Sequence, residues 1–256
     1  MSTAEIVRSN VAQMKSGTVF LVNDLSSYDA ERKATIRAMD NLVANIKLQH
    51  HTGTVNRIAN GLYYKEQKSV LGNLPPSHNA VIDSLLLNNR KQVGFISGQY
   101  LFNAKGLSTQ VPAVTTVVTS KQTPSRIDFA GIKIEVQRQA KPIEEKDIKR
   151  HEFEYILNNL GKVQSVAPDN IASALGEYFE AIDNKAIEFN TLNKHLIYKR
   201  SKALLGALMQ DYQAQSKLDF TPYMSTLKQQ LSYRSRYNFG HLSRHIDHHK
   251  QWNIEA

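Results

Sequence analysis

Apolar positions over residues 3–65 follow a helical period at first and an alternating one at the end. Residues 3–15 predict a first helix, with apolar side chains at helical spacing at Ile6, Val7, Val11 and Met14. Residues 31–46 predict one long helix, whose core-facing stripe consists of Ile36, Met39, Leu42, Val43 and Ile46. A short helix is expected between them, at about residues 22–26, so helices precede the alternating part.

An Asn-Gly pair divides the alternating part into two short strands. Residues 54–59 and 62–65 flank Asn60-Gly61, and Asn-Gly between two alternating apolar segments is the strongest short signal for a β-hairpin. A long helix followed directly by a two-stranded ribbon is the order that a recognition helix and its wing require. The pattern therefore predicts a winged helix-turn-helix, a DNA-binding fold, over Gly17–Lys65.

The rest of the chain shows strand patterns first and helical patterns later. Residues 66–76 predict a linker, and Ser77 precedes a helical pattern that fades near residue 90. Strands are expected at Val114–Thr119, Arg126–Phe129 and Ile132–Val136, the last two joined at Ala130-Gly131 as a second hairpin. Helices are expected over residues 149–160, 170–182 and 184–209.

The predicted fold class is α+β. An N-terminal winged helix-turn-helix domain (residues 1–70) is followed by a larger mixed α/β domain (residues 71–256) with a small antiparallel sheet and several helices. A length of 256 residues with 41% hydrophobic and 21% charged side chains is ordinary for globular domains with real cores. Because the chain has no cysteine, disulfides and thiolate metal sites are excluded.

Neither a membrane segment nor a secretion signal is expected. No stretch approaches the roughly 18 consecutive apolar residues of a membrane helix. Residues 1–15 carry Glu5 and Arg8 and lack the apolar core of a signal peptide. The expectation is a soluble cytoplasmic protein without a membrane partner.

The net charge of +9, with a pI of about 9.5, favours a polyanionic partner. Residues 1–70 contribute +3, residues 71–140 contribute +4 and residues 197–256 contribute +5, whereas residues 141–196 contribute −3. The positive charge therefore belongs to at least two parts of the chain. The acidic segment faces either a basic partner or solvent.

The face of the 31–46 helix opposite its apolar stripe carries Arg37, Asn41 and Asn45. In the major groove, Arg pairs with guanine and Asn with adenine through two hydrogen bonds, so these three are the predicted base contacts. The predicted phosphate contacts and wing contacts are Lys33, Arg57, Asn60 and Lys65. The alternative is a solvated helix face that serves protein contacts.

The other motifs in the sequence do not indicate an enzyme. The sequence has no Gly-rich phosphate loop and no Gly-x-Ser-x-Gly motif, so neither catalysis nor a cofactor is expected. His241, His245, His248 and His249 include pairs at i, i+4, but no Glu completes a protease motif, and structural or solvated histidines without a metal are expected. The segment Tyr233–Tyr237 either stacks on bases through its aromatic rings or packs its tyrosines on the core.

Seven motifs spread over most of the chain occur in the order typical of a known family. They are Arg57–Tyr63, Asn103, Gly106-Leu107, Thr109–Pro112, Arg200–Leu208, Tyr237–Gly240 and Trp252–Ile254. In these motifs the chain resembles the AbiEi-like antitoxins of bacterial type IV toxin–antitoxin and abortive-infection systems, which act in phage defence.

The resemblance implies a two-part protein. Its winged helix would bind double-stranded DNA at inverted repeats in the promoter of its own operon and repress transcription. Its C-terminal part would counteract a nucleotidyltransferase-like toxin without forming a stable complex. The alternatives are an antitoxin or adaptor that binds the toxin directly, a stand-alone transcriptional regulator, and a nucleic-acid-processing enzyme.

Overall fold

The computed structural model describes residues 1–50, 52–70, 72–163 and 171–255. The chain forms two compact units, of which the first comprises residues 1–95 and 113–145 and the second residues 96–112 and 146–256. Helices and small sheets both contribute, so the predicted α+β class is confirmed.

The first unit holds most of the strands. Its helices are α1 (Thr3–Gln13), α2 (Arg32–Ala44), α3 (Ile46–Gln49) and α4 (His78–Leu86), with a 3₁₀ helix at Val22–Asp24. Its strands are β1 (Val19–Leu21), β2 (Val55–Ala59), β3 (Leu62–Lys65), β4 (Gln67–Ser69), β5 (Gly72–Leu74), β6 (Leu87–Asn88), β7 (Lys91–Gln92), β8 (Gly94–Ser97), β9 (Thr115–Thr119), β10 (Arg126–Phe129) and β11 (Ile132–Arg138). Strand β8 begins in this unit and continues into the second.

A three-stranded antiparallel sheet of order β1-β3-β2 lies next to α1 and α2. The predicted hairpin is confirmed, because β2 and β3 meet at Asn60-Gly61, where Gly61 has a φ of +77°. The predicted core stripe of α2 is confirmed at Met39 and Leu42, which are buried, whereas Ile36 and Val43 are half-buried. The side chain of Ile46 lies outside what the structure describes.

The long helix predicted over residues 31–46 is wrong at its C-terminal end. Asn45 has extended backbone angles (φ −119°, ψ 100°), so α2 ends at Ala44 and α3 starts anew. The Asn45 side-chain oxygen accepts a hydrogen bond from the Lys47 amide at 3.0 Å. Asn side chains compete for backbone groups in this way, and the residue therefore caps the next helix instead of extending the last one.

Two buried lysines of the first unit bind the C-terminal ends of helices. The Lys65 ammonium donates hydrogen bonds to the carbonyls of Val11, Ala12 and Met14 at the end of α1, at 3.1, 3.0 and 2.8 Å. The Lys121 ammonium binds carbonyl oxygens at the end of α4 in the same way, and it forms an ion pair with Asp24 at 3.0 Å. Each lysine donates to carbonyls at a helix end, where the helical hydrogen-bond pattern leaves acceptors unfilled.

The second sheet has the order β10-β11-β9-β8. Its β10–β11 hairpin turns at Ala130-Gly131 as predicted, but β11 pairs with β9 in parallel, so this sheet is mixed instead of antiparallel. The linker predicted over residues 66–76 instead contains the β4–β5 pair. The predicted domain boundary at residue 70 lies inside the first unit, because α4 packs against β1 and β10 against β2.

The second unit is mainly helical. Its elements are α5 (Gly98–Ala104), α6 (Ile148–Asn159), α7 (Ile171–Ala174), α8 (Gly176–Asp183), α9 (Phe189–His195), α10 (Lys199–Gln215), α11 (Thr221–Gln230), β12 (Tyr237–Asn238) and β13 (Ile254–Glu255), with 3₁₀ helices at Leu160–Lys162, Gly240–His245 and His249–Trp252. α10 lies in its core and is buried from Ala203 to Met209. At Gly206 a side-chain carbon would lie 2.1 Å from the Trp252 ring, so only glycine lets the indole pack this closely.

Two of the predicted helices are each divided. The helix expected over residues 170–182 is split at Leu175 into α7 and α8, and residue 170 lies outside the described residues. The helix expected over residues 184–209 is split into α9 and α10, because Leu196 and Tyr198, which lie between the two helices, have non-helical backbone angles. Among the described residues, no helix combines the length and the apolar character needed to cross a membrane.

Candidate nucleic-acid interface

Three of the predicted DNA contacts lie along one exposed stripe of α2. Lys33, Arg37 and Asn41 follow one another at i, i+4 spacing, and all three side chains are exposed. The opposite side of the helix holds Thr35, a fully buried residue whose hydroxyl donates a hydrogen bond to the Ser27 hydroxyl at 2.9 Å. The buried side therefore fixes which residues of α2 face solvent.

The side chains of this stripe have no partners within the described part of the chain. Lys33, Arg37 and Asn41 form neither an ion pair nor a side-chain hydrogen bond with any residue that the structure describes. An arginine and an amide that are exposed and uncommitted keep all their donors and acceptors for an external ligand. The structure therefore places these three predicted contacts on one exposed stripe, with side-chain donors and acceptors that are free within the described residues.

Two predicted contacts are instead used inside the protein. Asn45 caps α3, although its side chain remains exposed. Lys65 is 9% exposed and holds the end of α1, and burial lowers the pKa of its ammonium. A lysine whose donors are spent on carbonyl oxygens cannot also neutralise a phosphate. Lys65 is therefore a structural residue in this fold.

The hairpin of β2 and β3 carries the remaining two predicted contacts. Asn60 is exposed at its turn. Arg57 is also exposed, forms an ion pair with Asp40 of α2, and lies over the Tyr63 ring at 5.5 Å. The Tyr63 hydroxyl is 3.4 Å from the same Asp40 carboxylate, and burial raises the pKa of Tyr63. These contacts orient Arg57 and join the hairpin to α2.

Asp40 stands within the helix that carries the predicted base contacts but is not among the residues predicted from the sequence. An aspartate on an exposed face would repel DNA phosphate unless a cation neutralises it, and Arg57 supplies that cation. The signal was present in the sequence, since Asp40 is the only acidic residue between Arg32 and Lys65. Its partner could not be identified there, because the two residues lie on different elements.

In the second unit, residues of the segment 103–107 make structural contacts. Asn103 donates a hydrogen bond to the Ser108 carbonyl at 3.1 Å, and Leu107 is fully buried. The Lys105 ammonium pairs with Glu177 at 2.5 Å and lies 3.8 Å from Glu152, whose pKa is raised by burial. Part of the acidic charge of residues 141–196 is thus neutralised within the unit.

The C-terminal histidines also make internal contacts. His248 contacts Asp211 through Nδ1 at 2.5 Å, and His249 contacts the Ile246 carbonyl at 2.8 Å. Burial raises the pKa of Asp211, while hydrogen bonds from the His248 ring and amide oppose that rise. Across the residues described by the structure, no group of three or more His, Cys, Asp or Glu side chains is placed to hold a metal ion.

Comparisons with known proteins give one finding. Residues 6–173 match the model of a family of unknown function, DUF6088, and this match covers well over half of the chain. Neither the curated proteins nor the solved structures include a match to the chain. The chain therefore belongs to the DUF6088 family, and its fold and candidate interface describe a member of that family.

Proposed function

We propose that the chain is a DNA-binding repressor of the antitoxin type, with a winged helix in its first unit. In this proposal α2 is the recognition helix and the β2–β3 hairpin is the wing. The protein would bind inverted repeats in its own promoter, and its second unit would counteract a nucleotidyltransferase-like toxin.

The order of elements in residues 3–65 supports the winged helix. α1, β1, the 3₁₀ helix, α2, β2 and β3 follow one another, and β3 lies between β1 and β2 in the sheet. The recognition helix of a helix-turn-helix protein lies in the major groove with its N-terminal residues at the base edges. Lys33 and Arg37 occupy the first half of α2 and meet that requirement.

The single observation that carries the proposal is the uncommitted stripe of Lys33, Arg37 and Asn41. Arg37 can donate two hydrogen bonds to guanine, Asn41 can pair with adenine, and Lys33 can hold a phosphate. Asn60, exposed at the turn of the wing, can add a backbone or minor-groove contact, whereas Arg57 is paired with Asp40 and orients the wing against α2. Asn45 and Lys65 are left out, because their polar groups act as caps.

The antitoxin part of the proposal rests on the resemblance to AbiEi-like antitoxins. The motifs at Arg200–Leu208 and Trp252–Ile254 meet in the second unit, where Trp252 packs on Gly206. The three motifs within residues 103–112 and the motif Tyr237–Gly240 belong to the same unit. Six of the seven motifs therefore lie in one packed body, which supports a separate role for that unit.

The DNA-binding part is tested by titrating the full chain against a labelled fragment of the region upstream of its own gene. Replacing Arg37 with Ala should lower affinity for the native fragment by roughly 5- to 150-fold, the equivalent of about 1–3 kcal/mol, and relax preference at one base pair. Replacing Lys33 with Ala should weaken binding to all fragments alike and lower the salt slope by about 1.

The matched control is Arg138→Ala, which removes an exposed arginine from β11 instead of α2. Its affinity should equal that of the unaltered protein. If Arg37→Ala binds the native fragment as tightly and as selectively as the unaltered protein, α2 is not a recognition helix. Stable co-purification of the chain with the product of a neighbouring gene would favour the direct-binding alternative over neutralisation without a stable complex.

A further inference from the structure

Two stretches of the second unit carry basic side chains and no carboxylate. Neither residues 189–210 nor residues 220–246 contain a single Asp or Glu. Their Lys and Arg residues are Lys194, Lys199, Arg200, Lys202, Lys228, Arg234, Arg236 and Arg244. These residues supply most of the positive charge at the C-terminal end of the sequence, and the proposed DNA interface does not use them.

Two side-chain contacts bring the stretches together. The Arg200 guanidinium lies 4.8 Å from the centre of the Phe239 ring, and the Lys202 ammonium donates a hydrogen bond to the Gln230 side chain at 2.5 Å. Gln230 ends α11, and Phe239 directly follows β12. The first turn of α10 therefore contacts the residues on either side of the segment 231–238, so Lys199 and Arg200 lie in the same region as that segment with its Arg234 and Arg236.

Two tyrosines stand exposed within this region. Tyr198 is 58% exposed just before Lys199 and Arg200, and Tyr233 is 76% exposed just before Arg234. The Arg234 guanidinium lies 5.2 Å from the Tyr233 ring centre, and its Nε donates to the tyrosine hydroxyl at 2.7 Å. This contact holds one ring beside a cation while most of the side chain stays open to solvent.

The sequence predicts either stacking on bases or packing on the core for the tyrosines of the segment Tyr233–Tyr237, and core packing is found at Tyr237 but not at the exposed Tyr233. Tyr237 is half-buried and packs against the core of the second unit. Tyr233 points away from that core, and Arg236 is exposed while donating to the Tyr233 carbonyl at 3.1 Å. The packed tyrosine anchors the segment, so the exposed ring and the arginines are presented at a fixed place.

Residues 197–256 contain four carboxylate side chains, of which those of Asp219, Asp247 and Glu255 are exposed. Asp211 is buried and accepts hydrogen bonds from the amides of Asp247 and His248, and Asp219 accepts from the Thr221 amide. Glu255 lies opposite Asn238 in the β12–β13 pair. A cleft of about 300 Å³ adjoins Asn238 and is lined by Asn238, Gly240, His241 and Arg244, none of which is acidic.

We propose that this tyrosine–arginine surface, formed by Tyr198, Lys199, Arg200, Tyr233, Arg234 and Arg236, binds single-stranded nucleic acid. Exposed aromatic rings stack on unpaired bases, and basic side chains beside them follow the phosphates. A duplex keeps its base faces stacked inside, so exposed tyrosines favour single strands. The proposal concerns the second unit alone and does not rest on the DNA binding proposed for α2.

The test measures fluorescence anisotropy of labelled 12-nucleotide RNA, single-stranded DNA of the same sequence, and the matching duplex with the full chain. Tyr233→Ala should weaken single-strand binding by roughly 5- to 150-fold, whereas Tyr233→Phe should retain most of it, because stacking needs the ring and not the hydroxyl. The double variant Arg234→Ala with Arg236→Ala should lower the salt slope by about 1.4, since each phosphate contact on a single strand contributes about 0.7.

Tyr100→Ala is the matched control, since Tyr100 is an exposed tyrosine on α5 that lies outside this surface. Equal binding of RNA and single-stranded DNA supports a site that recognises the bases and phosphates common to both. A preference for one of the two also supports the site and identifies which nucleic acid is the ligand. Absence of single-strand binding, or binding that Tyr233→Ala leaves unchanged, overturns the proposal. Arg37→Ala should leave single-strand binding intact, so that failure of one proposal does not decide the other.

Discussion

Replacing Lys65 with Met removes the ammonium that closes the end of α1 while keeping a side chain of similar length. The carbonyl oxygens of Val11, Ala12 and Met14 then lose the ammonium, and that of Val11 keeps only its hydrogen bond from the Met14 amide. A buried acceptor left without a partner costs about 1–3 kcal/mol. Part of this cost is offset, because the substitution also removes a charge whose burial is unfavourable and because water can reach the carbonyl oxygens at the helix end. The expected net loss is about 2–4 kcal/mol of unfolding free energy, within the range of severe single substitutions.

Urea denaturation followed by far-ultraviolet circular dichroism measures this loss. With a slope of about 1–3 kcal/mol per molar urea, the midpoint should fall by roughly 1–2 M for a domain of this size. Hydrogen exchange should also become faster at the amides in the last turn of α1. The control is Lys68→Met, an exposed lysine of β4, for which the change should stay within about 0.5 kcal/mol.

The same variant separates the two roles considered for Lys65. A phosphate contact predicts weaker DNA binding, a smaller salt slope and unchanged stability. A helix cap predicts lower stability, with DNA affinity preserved at temperatures and urea concentrations where the variant remains folded. If Lys65→Met unfolds at the same urea concentration as the unaltered chain, the assignment of Lys65 to the end of α1 is refuted.

Three further substitutions test contacts of the fold. Gly206→Ala places a methyl group 2.1 Å from the Trp252 ring and should cost about 1–3 kcal/mol, visible as a red shift in the emission of the sole tryptophan; unchanged emission and stability would contradict that packing. Asp211→Ala should cost about 2–4 kcal/mol, because two backbone amides lose their acceptor, and a calorimetric midpoint equal to that of the unaltered chain would exclude this role. Lys121→Met should destabilise the first unit by about 2–4 kcal/mol, because Asp24 and two carbonyl oxygens lose their ammonium partner. The double variant with Asp24→Asn should recover part of this loss. A double-mutant cycle that shows no coupling between the two residues would argue against the ion pair.

Net charge alone overstates the basic surface of the first unit. Lys65 and Lys121 are both buried at helix ends, and Arg57 is neutralised by Asp40. The charge available to a polyanion is therefore concentrated in fewer side chains than the sequence total implies, among them Lys33 and Arg37. In the second unit, by contrast, several arginines with no acidic neighbour in sequence remain exposed.

Local patterns in the sequence determined much of the first unit. The period of apolar residues in α2 fixed which side Lys33, Arg37 and Asn41 would occupy, and Asn60-Gly61 fixed the hairpin. Both depend on chemistry within a few residues: helical periodicity in one case and the positive φ of a tight turn in the other. The same rules found the Ala130-Gly131 turn, and they failed at Asn45, where side-chain capping outweighed the apolar period.

Only the tertiary structure decided which charged side chains remain available to a ligand. Lys65 lies 54 residues from Val11 along the chain, and Arg57 lies 17 residues from Asp40, so neither partner could be identified from the local pattern. The parallel pairing of β9 with β11 was equally hidden, because strand partners are set by packing between distant segments. Periodicity determines which face of an element is buried, whereas the fate of a charge depends on the groups that folding brings within hydrogen-bond distance of it.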